Sequence, residues 1–125
     1  MATVKNYTEL NCWKESRLLV QLVYSYSNRL AEFKQFNLIN QFERAAVSVM
    51  NNIAEGFDRL SLKEKIRFLN ISVSSANEVD SMTYILQDLQ LLSESEVMTI
   101  REQVRITKAR TLAFIVYLRS KLNTR

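Results

Sequence analysis

SLKEKIRFLNISVSSANEVDSMTYILQDLQLLSESE, residues 61–96, holds two helix starts and the whole helix between them. Ser61 and Glu64 are spaced as a capping box: the serine accepts from the backbone N–H of Glu64, and the glutamate reaches back to that of Ser61. Phe68, Ile71, Ser75, Val79, Met82, Leu86 and Leu89 then recur at helical spacing, with Ile66, Leu69, Val73 and Ala76 as a second row beside them. Ser93 and Glu96 repeat the box and open the next helix near Glu94. A helix over about 62–92 would be about 45 Å long at 1.5 Å per residue.

The same periods extend in both directions. Downstream, Val97, Ile100, Val104, Thr107, Thr111, Phe114, Leu118 and Leu122 follow a 3-4 spacing, so the last helix spans about 94–122. Upstream, Phe42, Ala45, Ala46, Val49, Ile53 and Phe57 define a helix over about 38–57, with Asn37 as its N-cap and Gly56 as a left-handed terminator. Leu19, Leu22, Val23, Tyr26 and Leu30 place the first helix over about 11–31, with Trp13, Val20 and Tyr24 as a second strip. Residues 32–37 lose the period and form a connection, with Phe33 and Phe36 expected to fold back over the bundle end.

Short connections make sequential helices antiparallel. The expected fold is all-α: a single domain, residues 1–125, forming an up-down four-helix bundle. One glycine and no proline leave little material for a turn-rich sheet protein. The doubled apolar rows of the first and third helices fit either a wide core face or a second surface buried against another subunit.

Much familiar chemistry lacks its residues. The chain has no histidine, which removes the commonest general base and metal ligand. Its single cysteine, Cys12, has no base partner in the sequence and reads as a structural thiol. With one glycine there is no phosphate-cradling loop. No metal, cofactor or enzymatic activity is expected. Neither a signal-peptide core nor a membrane-length apolar run is present, so the expected location is cytoplasmic, without a membrane partner.

The net charge of +4 is uneven. Residues 97–125 hold seven bases (Arg101, Arg105, Lys108, Arg110, Arg119, Lys121 and Arg125) against Glu102, whereas residues 1–96 hold ten bases and twelve acids. Arg101, Arg105 and Lys108 share one stripe of the last helix, and Arg110, Arg119 and Lys121 spread charge to the far side. Such a surface is either a solvated face or a phosphate-binding one. No arginine–aromatic platform is readable, so nucleic-acid binding would depend on charge and shape. A second cluster, Glu55, Arg59, Lys63 and Arg67, steps by four across the junction of the second and third helices. It is either a salt-bridged corner, with Glu64, or a second basic site. Arg44 and Glu78 could pair between the same helices.

The segment Gln41–Arg59, with RAAVS-x-x-x-NIAEG-x-x-R at its centre, followed by Ser61, Glu64 and Arg67-Phe68-Leu69, resembles the four-helix-bundle family of the 23S rRNA intervening-sequence protein. The likeness covers most of the chain. Met50 stands where the family usually has proline, which should leave the second helix less kinked. Asp58 replaces a frequent glycine, Asp80 a glutamate, and Leu91-Leu92-Ser93 the usual Leu-Gly-Tyr. The resemblance implies a homopentameric ring and no enzyme activity. A related branch resembles the accessory variability proteins of diversity-generating retroelements, basic rings that bind a reverse transcriptase and nucleic acid. Two readings follow: a non-enzymatic oligomeric module that binds RNA or a ribonucleoprotein through the last helix, or a scaffold for a partner such as a reverse transcriptase, with the charge incidental.

Overall fold

The computed structural model describes residues 3–122. After a 3₁₀ turn at Tyr7–Glu9, capped by a full Asn6–Glu9 box, come four helices: α1 Asn11–Glu32, α2 Phe36–Phe57, α3 Leu62–Asp88 and α4 Glu94–Leu122. Among the described residues there is no strand. Glu15 meets Gln103 while Arg29 meets Glu96, so α1 and α4 run antiparallel. Gly56 lies against Phe68 while Ser48 bonds Ser75, which makes α2 and α3 antiparallel as well. Each helix packs on two neighbours, α1 and α3 both lying between α2 and α4.

Several helix ends differ from the expectation. α2 starts at Phe36 behind Gln35, with no side-chain cap, and Asn37 lies inside its first turn. Phe33 and Phe36 are exposed rather than folded over the end. α3 stops at Asp88, and Leu91 and Leu92 then turn into the core. Gly56 is not a left-handed cap; among the described residues those with positive φ are Lys34 (58°) and Gln90 (57°). Both sit where α1 and α3 end in six-to-one turns: Gln35 N–H bonds Leu30 O at 3.3 Å, and Leu91 N–H bonds Leu86 O at 2.9 Å. These satisfied carbonyls offset the steric cost of about 1–2 kcal/mol that a left-handed residue other than glycine bears. Gly56 has a different use. A β-carbon there would lie 2.9 Å from Phe68 Cβ and 3.2 Å from Lys65 O, so the glycine lets α2 and α3 touch.

Of the two expected boxes, the one at Ser93 is complete: Ser93 N–H bonds Glu96 Oε1 at 2.8 Å and Glu96 N–H bonds Ser93 Oγ at 3.2 Å. The one at Ser61 is half made. Glu64 N–H reaches Ser61 Oγ at 3.1 Å, but the Glu64 carboxylate turns to Arg67. A guanidinium one turn away is a stronger partner for a carboxylate than a neutral N–H.

The core forms two apolar clusters. The larger, around Leu19, Val23, Phe42, Val79, Leu86 and Ile100, fills the half near the α1–α2 turn. The smaller, around Trp13, Ile53, Leu69, Ile115 and Leu118, fills the half near the α2–α3 turn. Between them lies a belt of buried hydroxyls: Ser16, Ser72, Thr107 and Thr111. All bond backbone carbonyls, and Ser72 Oγ does so across helices, to Val49 O at 2.8 Å. In α4 the buried row passes through Ile115, not Phe114. A strict 3.5-residue period drifts by about 20° per heptad against a straight helix of 3.6 residues per turn. By the fifth turn it is off by about half a residue, so Ile115 takes the place of Phe114, while Leu118 lies on both rows.

Candidate functional site

On α4 the expected stripe is brought together, and it is not all available. Arg101, Arg105 and Lys108 line one shallow recess with Asp80, Ala109 and Leu112. Arg101 is committed to α3: its Nε donates to Thr83 Oγ1 at 2.8 Å, Nη2 donates to Gln87 Oε1 at 3.0 Å, and the guanidinium lies 3.8 Å from the Tyr84 ring centroid. Arg105 makes a two-pronged pair with Glu102, at 2.6 and 3.0 Å. That hydrogen bond holds the Glu102 carboxyl below its usual range and raises the guanidinium. Arg110 faces a different flank, with Glu9, Asn11 and Phe114. Arg119 and Lys121 are exposed in the last turns, Lys121 against Tyr117 at 4.9 Å. Arg125 lies outside the described residues.

The second cluster does not form the single stripe its spacing suggested, because the chain leaves the helix between Asp58 and Ser61. Glu55 joins no ion pair among the described residues. Arg67 pairs with Glu64 at 2.8 Å, which depresses the Glu64 carboxyl. Both Arg59 and Arg67 lie over Phe68, at 4.4 and 4.6 Å from its centroid. Lys65 bonds Phe57 O and lies 5.3 Å from the Phe57 ring. Arginine–aromatic stacks therefore exist, at Phe68 and at Tyr84, where none was readable from the sequence. Sequence reasoning had only the proximity of Arg67 to Phe68 as a signal; Arg59 reaches the ring through the corner.

Antiparallel packing also brings the tail of α4, though not its Arg101–Arg105–Lys108 stripe, to the second cluster. The end of α2, the start of α3 and the end of α4 share the half of the bundle built around Ile53, Leu69 and Leu118. Arg59, Lys63, Lys65, Arg67, Arg119 and Lys121 thus crown one end. The opposite end carries Glu32, Asp88, Glu94 and Glu96 against Lys34 and Arg29, which pairs with Glu96.

A polar ridge on α2 was not foreseen as a unit. Arg44, Ser48, Asn52 and Glu55 share a face, and recesses lie on both sides of it. Ser48 Oγ lies 2.7 Å from Ser75 Oγ, and Asn52 Nδ2 donates to Ser48 O at 2.8 Å. The steps of four and three were the available signal. Arg44 and Glu78 line the same recess, yet no ion pair joins them.

Apolar groups are displayed as well. Leu18, Leu22 and Met98 line an open recess between α1 and α4, and Leu112, Val116 and Tyr117 are exposed on α4. On α3, Ile71, Tyr84 and Ile85 face outward, with Leu89 just past its end. Of the doubled apolar row only Ile71 and Leu89 are exposed, and Ile66, Leu69, Ser75, Ala76, Val79, Met82 and Leu86 are core. Cys12 is buried, which pushes its thiol up to about 11 and keeps it protonated at neutral pH. No group of three or more cysteines or carboxylates among the described residues is placed to hold a metal ion. No described helix is long and apolar enough to cross a membrane.

The fold and these open recesses define a small all-α four-helix bundle whose chemistry-bearing groups lie mainly on its surface. The chain belongs to the 23S rRNA-intervening sequence protein family, whose model matches residues 8–112. Among solved structures it is similar to a protein of unknown function from the S23 ribosomal protein family of Bacteroides thetaiotaomicron, with 23% identity and a TM-score of 0.76 over 83% of this chain and 97% of that one. That likeness shows the fold. No curated protein matches the chain.

Proposed function

We propose that the protein is a non-enzymatic, self-associating binding module of the cytoplasm that takes RNA or a ribonucleoprotein on the basic flank of α4, with little sequence specificity. The observation that carries this reading is the charge of α4 beyond Val97, where Arg101, Arg105, Lys108, Arg110, Arg119 and Lys121 are offset by Glu102 alone. Phosphates that replace counterions on such a surface gain affinity without base contacts. The pairing of Arg105 with Glu102 is no obstacle. An exposed pair one helical turn apart is screened by solvent and contributes little, so a phosphate can displace the carboxylate.

Binding should fall steeply with salt, with a log–log slope of about −0.9 per duplex phosphate neutralised. Joint replacement of Arg101, Arg105 and Lys108 by alanine should make the slope shallower by about one unit per lost contact. Because Arg101 also ties α4 to α3, an Arg105/Lys108 pair of alanines serves as the control for stability. Absence of wild-type binding to structured RNA at about 50 mM salt would reject the reading. The scaffold reading, with a protein partner such as a reverse transcriptase, would then lead.

Self-association has separate support in the exposed apolar side chains of α1, α3 and α4, which are more numerous than a monomer needs. The number five rests on the family resemblance. Light scattering at micromolar concentration is expected to give a mass several times 14.6 kDa, and a monomer would refute the proposal.

A further inference from the structure

We propose that the α2–α3 corner is a stacking site for unpaired nucleotides, with the Arg59–Phe68–Arg67 group as its platform. The proposal rests on the nucleic-acid reading above and gives it a second, chemically distinct contact. Each guanidinium is a flat cation already laid on a ring, 4.4 Å from it for Arg59 and 4.6 Å for Arg67. Glu64 meets the other edge of Arg67, at 2.8 and 3.3 Å, an exposed pair that orients the guanidinium on the ring and that a phosphate can displace. Arg59 has no carboxylate within ion-pair distance among the described residues, and its side chain is exposed. Its charge is therefore available to a phosphate. Lys63, exposed one turn from Arg67, can meet the next phosphate along. Leu60, beside Arg59, is fully exposed and adds an apolar edge.

These groups suit a strand whose bases are out of a helix. A base has a π-face that a guanidinium plane can cover, and its phosphate is within reach of the same cation. A duplex hides those faces and can use only the charges. The expected preference is for single strands, tolerant of sequence, because every base offers a face.

The test compares three probes at low salt: an unstructured oligoadenylate, an abasic strand of equal length, and a duplex of that length. Wild type should bind the oligoadenylate more tightly than the abasic strand. The variant with both Arg59→Lys and Arg67→Lys keeps the charge and removes the planes. It should lose about tenfold or more on oligoadenylate while its affinity for duplex changes little. Melting temperature and oligomeric state should match wild type, since both replaced groups are exposed and Phe68 is retained. Equal binding of oligoadenylate by the lysine variant, or of abasic and base-bearing strands by wild type, would overturn the stacking site and leave the α4 reading intact. Duplex binding without oligoadenylate binding would do the same. Failure of wild type to bind any of the three would overturn both.

Discussion

Replacing Ile53 with aspartate should unfold the bundle at neutral pH or leave it marginal. Ile53 is fully buried in the smaller apolar cluster, with Trp13, Leu69, Ile115 and Leu118. The substitution removes branched apolar volume and adds a carboxylate that finds no cation there. Truncating a large aliphatic core side chain costs about 2–5 kcal/mol, and the unpaired polar group adds to that. Domains are stable by about 5–15 kcal/mol, so the loss is a large share of the total. The pH dependence has a definite sign. Burial raises the folded-state pKa of the introduced acid above its unfolded value, so the charge penalty grows as pH rises through the unfolded value near ~4. Below that value both states are protonated and only the cavity and the neutral polar group remain. Urea unfolding at neutral and at acid pH should show a larger defect at neutral pH. An unchanged midpoint would mean that Ile53 is not in the core.

Gly56→Val should also be strongly destabilising, for the opposite reason of too much volume. The new β-carbon would lie 2.9 Å from Phe68 Cβ, the fixed root of that side chain, and 3.2 Å from a backbone oxygen. Neither atom can move without displacing α3. Overpacking of this kind costs about 1–3 kcal/mol, and the branched γ-carbons push towards the upper end or beyond. Gly56→Ala is the instructive companion. Gly56 is the last residue but one of α2, where the helix preference of alanine over glycine gains at most about 1 kcal/mol, so the net loss for alanine should be smaller than that for valine. If alanine and valine were both neutral in thermal melts, α2 and α3 would not be in the close contact described.

The four helices were legible because their apolar residues keep a period over many turns, and because Ser61 and Ser93 mark two starts. The ends were less legible. Glycine is the usual signal for a left-handed helix terminus, and here Lys34 and Gln90 adopt that conformation, held by carbonyls and packing that only the folded chain supplies. Gly56, which looked like such a terminus, is a packing device instead. The one-residue slip from Phe114 to Ile115 has the same character, since a heptad count and a real helix part company slowly. Met50 lies within an α2 that runs unbroken from Phe36 to Phe57.

The candidate site was legible as composition and not as geometry. The surplus of charge in α4 is visible in the sequence, but nothing there tells Arg101, whose guanidinium is bonded to Thr83 and Gln87, from Lys108, which joins no ion pair among the described residues. Counting in fours joined Glu55 to Arg67 across a corner where the helix stops. The meeting of Arg59 with Phe68 needed the angle of that corner. Ser48 and Asn52 stand in the RAAVS-x-x-x-NIAEG pattern and Ser75 in the helical row of α3, and only the fold reveals that they bond one another along the α2–α3 seam.

The distribution of charge lengthwise gives the molecule a permanent orientation in an electric field. In an antiparallel bundle the helix macrodipoles largely cancel in pairs, so the long-range field comes from the side chains. At one end Glu32, Asp88, Glu94 and Glu96 outnumber Arg29 and Lys34, and at the other Arg59, Lys63, Lys65, Arg67, Arg119 and Lys121 outnumber Asp58 and Glu64, so the two ends differ in sign. Near a polyanion the bundle experiences a torque as well as an attraction. It turns its α2–α3 corner and the tail of α4 forward before contact, which shortens the rotational search that usually slows protein association. Beyond a Debye length of about 8 Å at physiological ionic strength that alignment fades, so the molecule is steered only over its last approach.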